Sequence, residues 1–507
     1  MTTLIRDLAD AAATDRLGAE LSLVAKAGTA ILLSGDLGAG KTALARAIVR
    51  ALADDAALEV PSPTFTLVQT YDTARVPTAH ADLYRIGAPE ELRELGLDDL
   101  LATHLLIVEW PDRLSDLPED RLEITLTTAG PGRQAQLTGH GAWVRALSRL
   151  DSIQRFLPRT TWAAARRTFL EGDASFRRYE RLHLRGRSAV LMDMPARPDG
   201  PPVRDGKSYS MLAGLAENIR SVLAINAYLR DLGFSAPETF AFDSDEGLAI
   251  IEDLGSRVYG RMMMTTGVDM TAPQAAAVRI LAAMANHSWP GSVAVPGGGE
   301  DHRLPAYDRN ALGMEIELLL DWFWPFARNG EADAALREEF LAAGAPFLAA
   351  AEPATPVWVL RDYHSPNLLW LPERRGNARV GLIDTQDAVM GHPAYDLVSL
   401  LQDARVDIPP EVSAPLLDYY CTLRRADPGF DETELRRAFA ILGAQRATKI
   451  LGIFARLSRR DGKHGYLRHV PRVSRYLEAN LQHPHLAPLK AWYDRHLPQD
   501  MRDRVAS

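Results

Sequence analysis

Cysteine, long apolar runs and lysine are all scarce in this chain of 507 residues. The single cysteine is Cys421; a lone thiol cannot close an intramolecular disulfide, so nothing calls for an oxidising compartment. No run of 18 or more uncharged apolar residues occurs, which argues against a membrane-spanning helix. The opening MTTLIRDLADAAATDR carries Asp7, Asp10 and Asp15 where a secretory apolar core would lie. The expectation is a cytoplasmic protein with no membrane segment. Between Leu150 and Ala447 the only lysine is Lys207. An excess of basic residues is absent too: in residues 1–150, 21 acidic side chains against 14 basic ones leave −7 of the overall −9. An acidic domain repels phosphate backbones, so this part is not expected to hold nucleic acid alone. What remains, 47% hydrophobic and 24% charged, is ordinary for globular domains, and the length suits two or three of them.

The first 150 residues alternate apolar runs with helical periodicity. Ala30–Ser34, Thr66–Tyr71, Ala79–Leu83, Leu105–Glu109, Leu122–Thr127 and Gln134–Thr138 read as strands. Lys41–Ala53, Pro89–Ala102 and Ala142–Leu150 read as helices. Strand, glycine loop and helix followed by further strands is an α/β pattern. Beyond a boundary placed near 150, a helical stretch (Ile153–Thr168) and a hairpin-like segment (Phe169–Met194) lead into Ala- and Leu-rich helices. The shape suggested is an α+β unit: a small β-containing lobe over about 155–255, then a helical lobe over about 256–490.

Gly35-Asp-Leu-Gly38-Ala-Gly40-Lys41-Thr42 fits G-x-x-x-x-G-K-[ST]. Glycines let backbone N–H groups converge on phosphates, and the following helix turns its positive end toward them. Lys41 then supplies a point charge for the β- and γ-phosphates and Thr42 a hydroxyl for Mg²⁺. Leu105–Glu109 is an apolar strand ending in an acid, the form expected of a second group on the metal side. His80-Ala-Asp82 closes another strand; Asp82 is a further acid, and His80 reads as a hydrogen-bonded structural residue.

Together with Ser62-Pro-Thr64-Phe-Thr66, His80-Ala-Asp-Leu-Tyr-Arg85, Leu95-Gly-Leu-Asp-Asp99 and Val108-Glu-Trp-Pro111, this segment resembles the TsaE family over residues 1–150. The resemblance implies a P-loop ATPase supporting threonylcarbamoylation of adenosine 37 in tRNA. TsaB- and TsaD-type proteins are its implied partners, and tRNA is met only indirectly. It further implies that Lys41 grips phosphate, that Thr42 and Glu109 serve Mg²⁺, that Asp82 supports the metal site or the attacking water, and that Thr64 lies in a switch-like loop.

The second constellation is Val357-Trp-Val-Leu-Arg-Asp362-Tyr-His-Ser-Pro-Asn367, then Val380-Gly-Leu-Ile-Asp384. Kinases place a catalytic Asp five residues before an Asn, and a metal-binding Asp after the next apolar strand. That chemistry has Asp362 accept the proton of an attacking hydroxyl while Asn367 and Asp384 hold Mg²⁺. Asp396 reads as a support for this loop. Upstream, Gly172-Asp-Ala-Ser175-Phe-Arg177-Arg178-Tyr179 takes the place of a glycine-rich nucleotide loop. Leu248–Gly255, with Glu252 and Asp253, reads as a strand turning into a hinge for adenine.

With Asp173–Tyr179, Leu191–Pro195, Gln445–Phe454, Arg460–Lys463 and Tyr466-Leu467, residues 155–490 resemble the aminoglycoside phosphotransferase superfamily, and more closely its AmgK branch of anomeric sugar kinases. The implied fold is protein-kinase-like. The implied reaction uses ATP to phosphorylate the C1 hydroxyl of N-acetylmuramic acid or N-acetylglucosamine during cell-wall recycling. One departure stands out. The strand lysine that kinases use for the α- and β-phosphates is missing, with Met192-Asp193 where it would stand. Either Arg177 or Arg178 takes over, since a guanidinium grips phosphate bidentately, or the lobe only binds nucleotide and regulates the ATPase. For the acceptor, Tyr307 and the helical Met314–Trp324, with Glu317 and Asp321 on one face, offer aromatics and acids. Arg446, Lys449 and Arg456 offer charge for a lactyl carboxylate or a phosphate. An aminoglycoside or choline acceptor remains open at this stage.

Overall fold

The computed structural model describes residues 2–170, 177–196, 202–204, 207–208, 216, 218–350, 352–353 and 355–505. The chain packs as two units, Met1–Met192 and Asp193–Ser507.

In the first unit, seven strands make one sheet: β1 (Thr2–Leu8), β2 (Ala30–Ser34), β3 (Val68–Tyr71), β4 (Thr78–Asp82), β5 (Leu105–Glu109), β6 (Arg121–Ala129) and β7 (Gly132–Gly139). Their order is β1-β7-β6-β2-β5-β4-β3. The central strands β6, β2, β5 and β4 run parallel, and β1 and β3 close the edges antiparallel. AILLS and LLIVE are continuous apolar runs because both faces of these strands are covered. Ile31, Leu33, Leu105 and Ile107 pack into one core. Ala30, Leu32, Leu106 and Val108 pack into the other, as the two-residue side-chain period requires. Helices α1 (Ala11–Val24), α2 (Lys41–Ala53) and α5 (Ala142–Phe156) serve the first core; α3 (Pro89–Glu94) and α4 (Leu97–Thr103) flank the second.

Three elements differ from the sequence reading. β1 was not foreseen: four of its seven residues are polar, and the apolar Ile5 is on the exposed side. The helix expected over Pro89–Ala102 is two, broken at Gly96 with φ +61. The helix expected over Ile153–Thr168 ends at Phe156, since Pro158 has no N–H to continue it. After the single turn Leu157–Arg159, strand β8 (Arg166–Leu170) begins. β8 pairs antiparallel with β9 (Arg178–Leu184), and β10 (Arg187–Asp193) follows.

The second unit is mainly helical. Among its strands, Thr239–Asp243 pairs antiparallel with Leu248–Glu252, Val357–Val359 with Val389–Gly391, and Leu368–Trp370 with Val380–Leu382. Its axis is the 30-residue helix Glu432–Asp461. Asp431 caps the start by accepting from Thr433 N and Glu434 N at 2.8 and 3.1 Å. Gly462, at φ +66, ends it. This is the one described helix long and apolar enough to cross a membrane, and most of it is buried within the fold. The helix Arg309–Leu318 opens into a π turn over Leu319–Phe323, so the simple helical face expected for Glu317 and Asp321 is interrupted. Asp321 pairs instead with Arg337 at 2.7 Å.

α1 and α2 approach closely at Gly18, where an added Cβ would lie 2.5 Å from Ala47 Cβ and 2.9 Å from its carbonyl carbon. Helix propensity would favour Gly18→Ala by about 0.8–1.0 kcal/mol, but overpacking costs about 1–3 kcal/mol. Gly18→Ala is therefore expected to lower the denaturation midpoint of the first unit, read by urea titration of the intrinsic fluorescence.

Candidate functional sites

The parallel strands of the first unit end together. Leu33 of β2 lies opposite Glu109 of β5, which lies opposite Asp82 of β4. The loop Gly35–Gly40 leaves β2 at this edge and enters α2. Gly35, at φ +140, passes so near β6 that a Cβ would sit 2.5 Å from Leu126 O, so only glycine fits. Glu109 is 2% exposed. Its Oε2 accepts from Thr42 Oγ1 at 2.9 Å, and its Oε1 lies 2.9 Å from His80 Nε2. Asp82 Oδ2 accepts from Ser62 Oγ and Thr64 Oγ1 at 3.1 and 3.2 Å, while Oδ1 takes Tyr84 N. Lys41 is turned onto its own loop. Its ammonium donates to Gly35 O at 2.6 Å and Asp36 O at 2.9 Å, 3.7 Å from the centre of the Trp110 ring. Burial lowers its pKa, with Glu109 and Asp82 opposing. The structure thus brings Gly35, Gly38, Gly40, Lys41, Thr42, Thr64, Asp82 and Glu109 to one sheet edge. Trp110, at φ +60, belongs there too; the sequence reading gave it no role.

In the second unit the segment Leu360–Asn367 follows the strand Val357–Val359. Asp396, in the helix Ala394–Leu401, straps it down by accepting from Leu360 N at 2.6 Å and Arg361 N at 2.9 Å. Burial pushes the Asp396 carboxyl up to about 7 against these two bonds. Asn367 Nδ2 donates to Asp362 O at 3.1 Å, and Ile383 N donates to Asn367 O at 3.1 Å, which sets Asp384 beside Asn367. Asp384 stands at φ +63 and accepts from Gln386 Nε2 at 3.2 Å.

Asp362 has a side chain 44% exposed, with His364 Nε2 3.6 Å from its Oδ1. Desolvation would raise its pKa, but His364, Lys449 and Arg361 outweigh that and hold it well below the usual carboxylate range. Its neighbour Arg361 is buried and left-handed, φ +66, and donates to Glu315 Oε1 at 2.6 Å. Lys449 reaches the same oxygen at 2.7 Å, and Tyr307 donates to Oε2. Glu315 and His364 had no assigned role in the sequence reading. Glu315 lies 46 residues before Arg361, and no spacing rule connects them.

Several other expected residues are already engaged. The Glu252 carboxylate is taken by Arg230, at 3.2 Å, and by Arg374. Asp253 Oδ1 accepts from Gly255 N at 3.0 Å, and Arg177 directly precedes β9. Arg178 opens that strand and donates to Leu23 O at 3.0 Å, so a phosphate role would require it to leave that carbonyl. Arg446 is buried beside Asp396. Glu317 is half-buried on Arg309–Leu318. Ser175 lies outside the described residues.

Comparison with known proteins gives two family matches: "Threonylcarbamoyl adenosine biosynthesis protein TsaE" over residues 8–135, and "Phosphotransferase enzyme family" over 166–438. A Caulobacter vibrioides protein named N-acetylmuramate/N-acetylglucosamine kinase is 40% identical over 356 residues, 68% of this chain and 96% of its own. A Pseudomonas aeruginosa protein of that name is 32% identical, over 62% of this chain and 84% of its own. A Nostoc tRNA threonylcarbamoyladenosine biosynthesis protein TsaE is 37% identical over 137 residues, 26% of this chain and 83% of its own. The chain therefore belongs to the phosphotransferase enzyme family, with a TsaE-family ATPase domain at its N-terminus.

Proposed function

We propose that residues 1–150 and 151–507 are separate catalytic domains. The first would be an ATPase supporting threonylcarbamoylation of adenosine 37 in tRNA with TsaB- and TsaD-type partners, tRNA being held by them. The second would be an ATP-dependent kinase for the C1 hydroxyl of N-acetylmuramic acid and N-acetylglucosamine, in cell-wall recycling. The observation that carries the kinase reading is the likeness to the Caulobacter kinase along nearly its whole length. The juxtaposition of Asp362, Asn367 and Asp384 supports it.

In this reading Asp362, half-exposed and ionised, orients the C1 hydroxyl and receives its proton. The C1 oxygen bonds to the γ-phosphorus as the bond from phosphorus to the β,γ-bridging oxygen breaks, and ADP leaves. Asn367, whose amide nitrogen is bonded to the Asp362 carbonyl, has its amide oxygen for a metal ion, and Asp384 supplies a carboxylate. Thr42 and Glu109 offer the same hard-oxygen chemistry in the first unit. Among the described residues no cluster of three or more His, Cys, Asp or Glu forms a metal cage. That suits Mg²⁺, which binds through one or two protein oxygens plus phosphate oxygens. When bound, it neutralises charge on the phosphates.

One feature weighs against the purely regulatory lobe. A lobe that only regulates has no need of Asp362, Asn367 and Asp384 held together.

The test is phosphotransfer from Mg-ATP by full-length protein to N-acetylmuramic acid, N-acetylglucosamine, glucosamine and kanamycin, with Lys41→Ala silencing the P-loop. C1 phosphate on the N-acetyl sugars, lost in Asp362→Ala, is expected. Transfer to kanamycin alone, or to nothing while nucleotide still binds, would overturn the reading. For the first unit, Glu109→Gln is expected to lower ATP hydrolysis about 10- to 100-fold, measured as phosphate release in an Asp362→Ala background. Unchanged hydrolysis would remove Glu109 from the site.

A further inference from the structure

The cluster around Glu315 is complete without a ligand. Glu315 is 0% exposed. Its Oε1 accepts from Arg361 Nη2 at 2.6 Å and Lys449 Nζ at 2.7 Å, and its Oε2 accepts from the Tyr307 hydroxyl and from Gln445 Nε2 at 3.1 Å. A carboxylate offers about four lone-pair sites, so its shell is full. Lys449 has a further contact with Tyr395 OH at 3.3 Å, and its side chain is only 13% exposed. The donors come from separate parts of the fold: Gln445 and Lys449 from successive turns of Glu432–Asp461, Tyr307 from just before Arg309–Leu318, and Arg361 from the loop that carries Asp362.

Arg361 is the residue for which this matters. It directly precedes Asp362 and is held at φ +66, a conformation that L side chains avoid unless their surroundings over-determine it. Restraints on backbone and side chain are present. Asp396 accepts the Arg361 backbone N–H at 2.9 Å, and Glu315 holds its guanidinium. Ser399 Oγ adds a third bond, to the Arg361 carbonyl, at 3.3 Å.

We infer that Glu315 and Lys449 are positioning residues that brace the catalytic loop, and that Lys449 is not the subsite for a lactyl carboxylate. Glu315 fixes Arg361 in its left-handed conformation and so aims the adjoining Asp362. Lys449 completes the carboxylate shell and adds positive charge near Asp362. The electrostatics agree. Burial opposes charge on both residues, yet Lys449 and Arg361 hold Glu315 below the usual carboxylate range, and Glu315 holds Lys449 above the usual lysine one. The inference rests on the kinase reading and revises one part of it, the acceptor contact.

The two sugars supply the test, because N-acetylmuramic acid carries the lactyl carboxylate and N-acetylglucosamine lacks it. In full-length protein, Lys449→Met is expected to lower kcat for both sugars by the same factor, up to about 100-fold, leaving each KM within about twofold. Glu315→Gln is expected to act alike, and the double variant to lose no more than the worse single one. A loss confined to N-acetylmuramic acid, seen as a raised KM, would overturn the inference in favour of a carboxylate subsite. Hydrogen exchange supplies a readout independent of the acceptor. Peptides covering 359–367 should exchange faster in both single variants, while the hairpin 239–252 is unchanged. Unaltered exchange at 359–367 sinks the brace. If the wild type phosphorylates neither sugar, it is the functional reading that fails, and the exchange result still decides the brace.

Discussion

The catalytic loop of the second unit depends on two buried carboxylates holding a backbone that would not otherwise keep its shape. Arg361 and Asp384 are both non-glycine residues with positive φ, +66 and +63, and each such conformation costs of order 1–3 kcal/mol. Removing one partner of a buried ion pair costs about 3–5 kcal/mol, so losing Glu315 would leave the Arg361 guanidinium buried and uncompensated. Asp396 then fixes the two amides of Leu360 and Arg361. Side chain and backbone of one residue are restrained independently, and the residue so restrained is the one before Asp362. Three charged groups, Glu315, Arg361 and Lys449, would be costly to bury singly; together each supplies what another requires.

The first unit meets a similar demand by other means. Its loop approaches β6 too closely for any residue but glycine at position 35, and its side-chain chemistry is gathered by strand register instead of a buried cluster. Because β4 and β5 are parallel and in register, Asp82 and Glu109 arrive side by side. Glu109 joins Thr42 to His80, so the first turn of α2 is tied to the end of β5. Lys41 is stored against two carbonyls of its own loop and the Trp110 ring. Phosphate oxygens would replace those carbonyls with charged acceptors, which are stronger partners for an ammonium.

What could be read in the sequence follows from how local each signal is. AILLS, LLIVE and the helix Lys41–Ala53 have the same bounds in sequence and structure, because continuous burial and a glycine loop leave little choice. Local spacing likewise singled out Asp362, Asn367 and Asp384. Edges and long-range charge were less legible. β1 has a strand's alternation but mostly polar content, and Glu315 meets Arg361 only through tertiary packing. The expected face carrying Glu317 and Asp321 did not allow for the π turn that begins at Leu319. Lys449 was noticed for its charge, but its partner could not be seen, and the partner decides what that charge does.

The scarcity of lysine returns in the small lobe, where a guanidinium is the available phosphate donor. Several lie on the β8–β9 hairpin, and Arg167 and Arg178 among them have partners that differ in kind. Arg167 is bidentate to Glu180 at 2.6 and 3.0 Å, with both side chains largely buried. Arg178 has a neutral partner, the Leu23 carbonyl. Hydrogen bonds to charged groups contribute about 1.5–3 kcal/mol, against about 0.5–1.5 kcal/mol for neutral ones. Redirecting Arg167 would also strand the Glu180 carboxylate, whereas redirecting Arg178 leaves only a carbonyl to be re-solvated. Of these two arginines, Arg178 therefore has less to lose in turning toward phosphate.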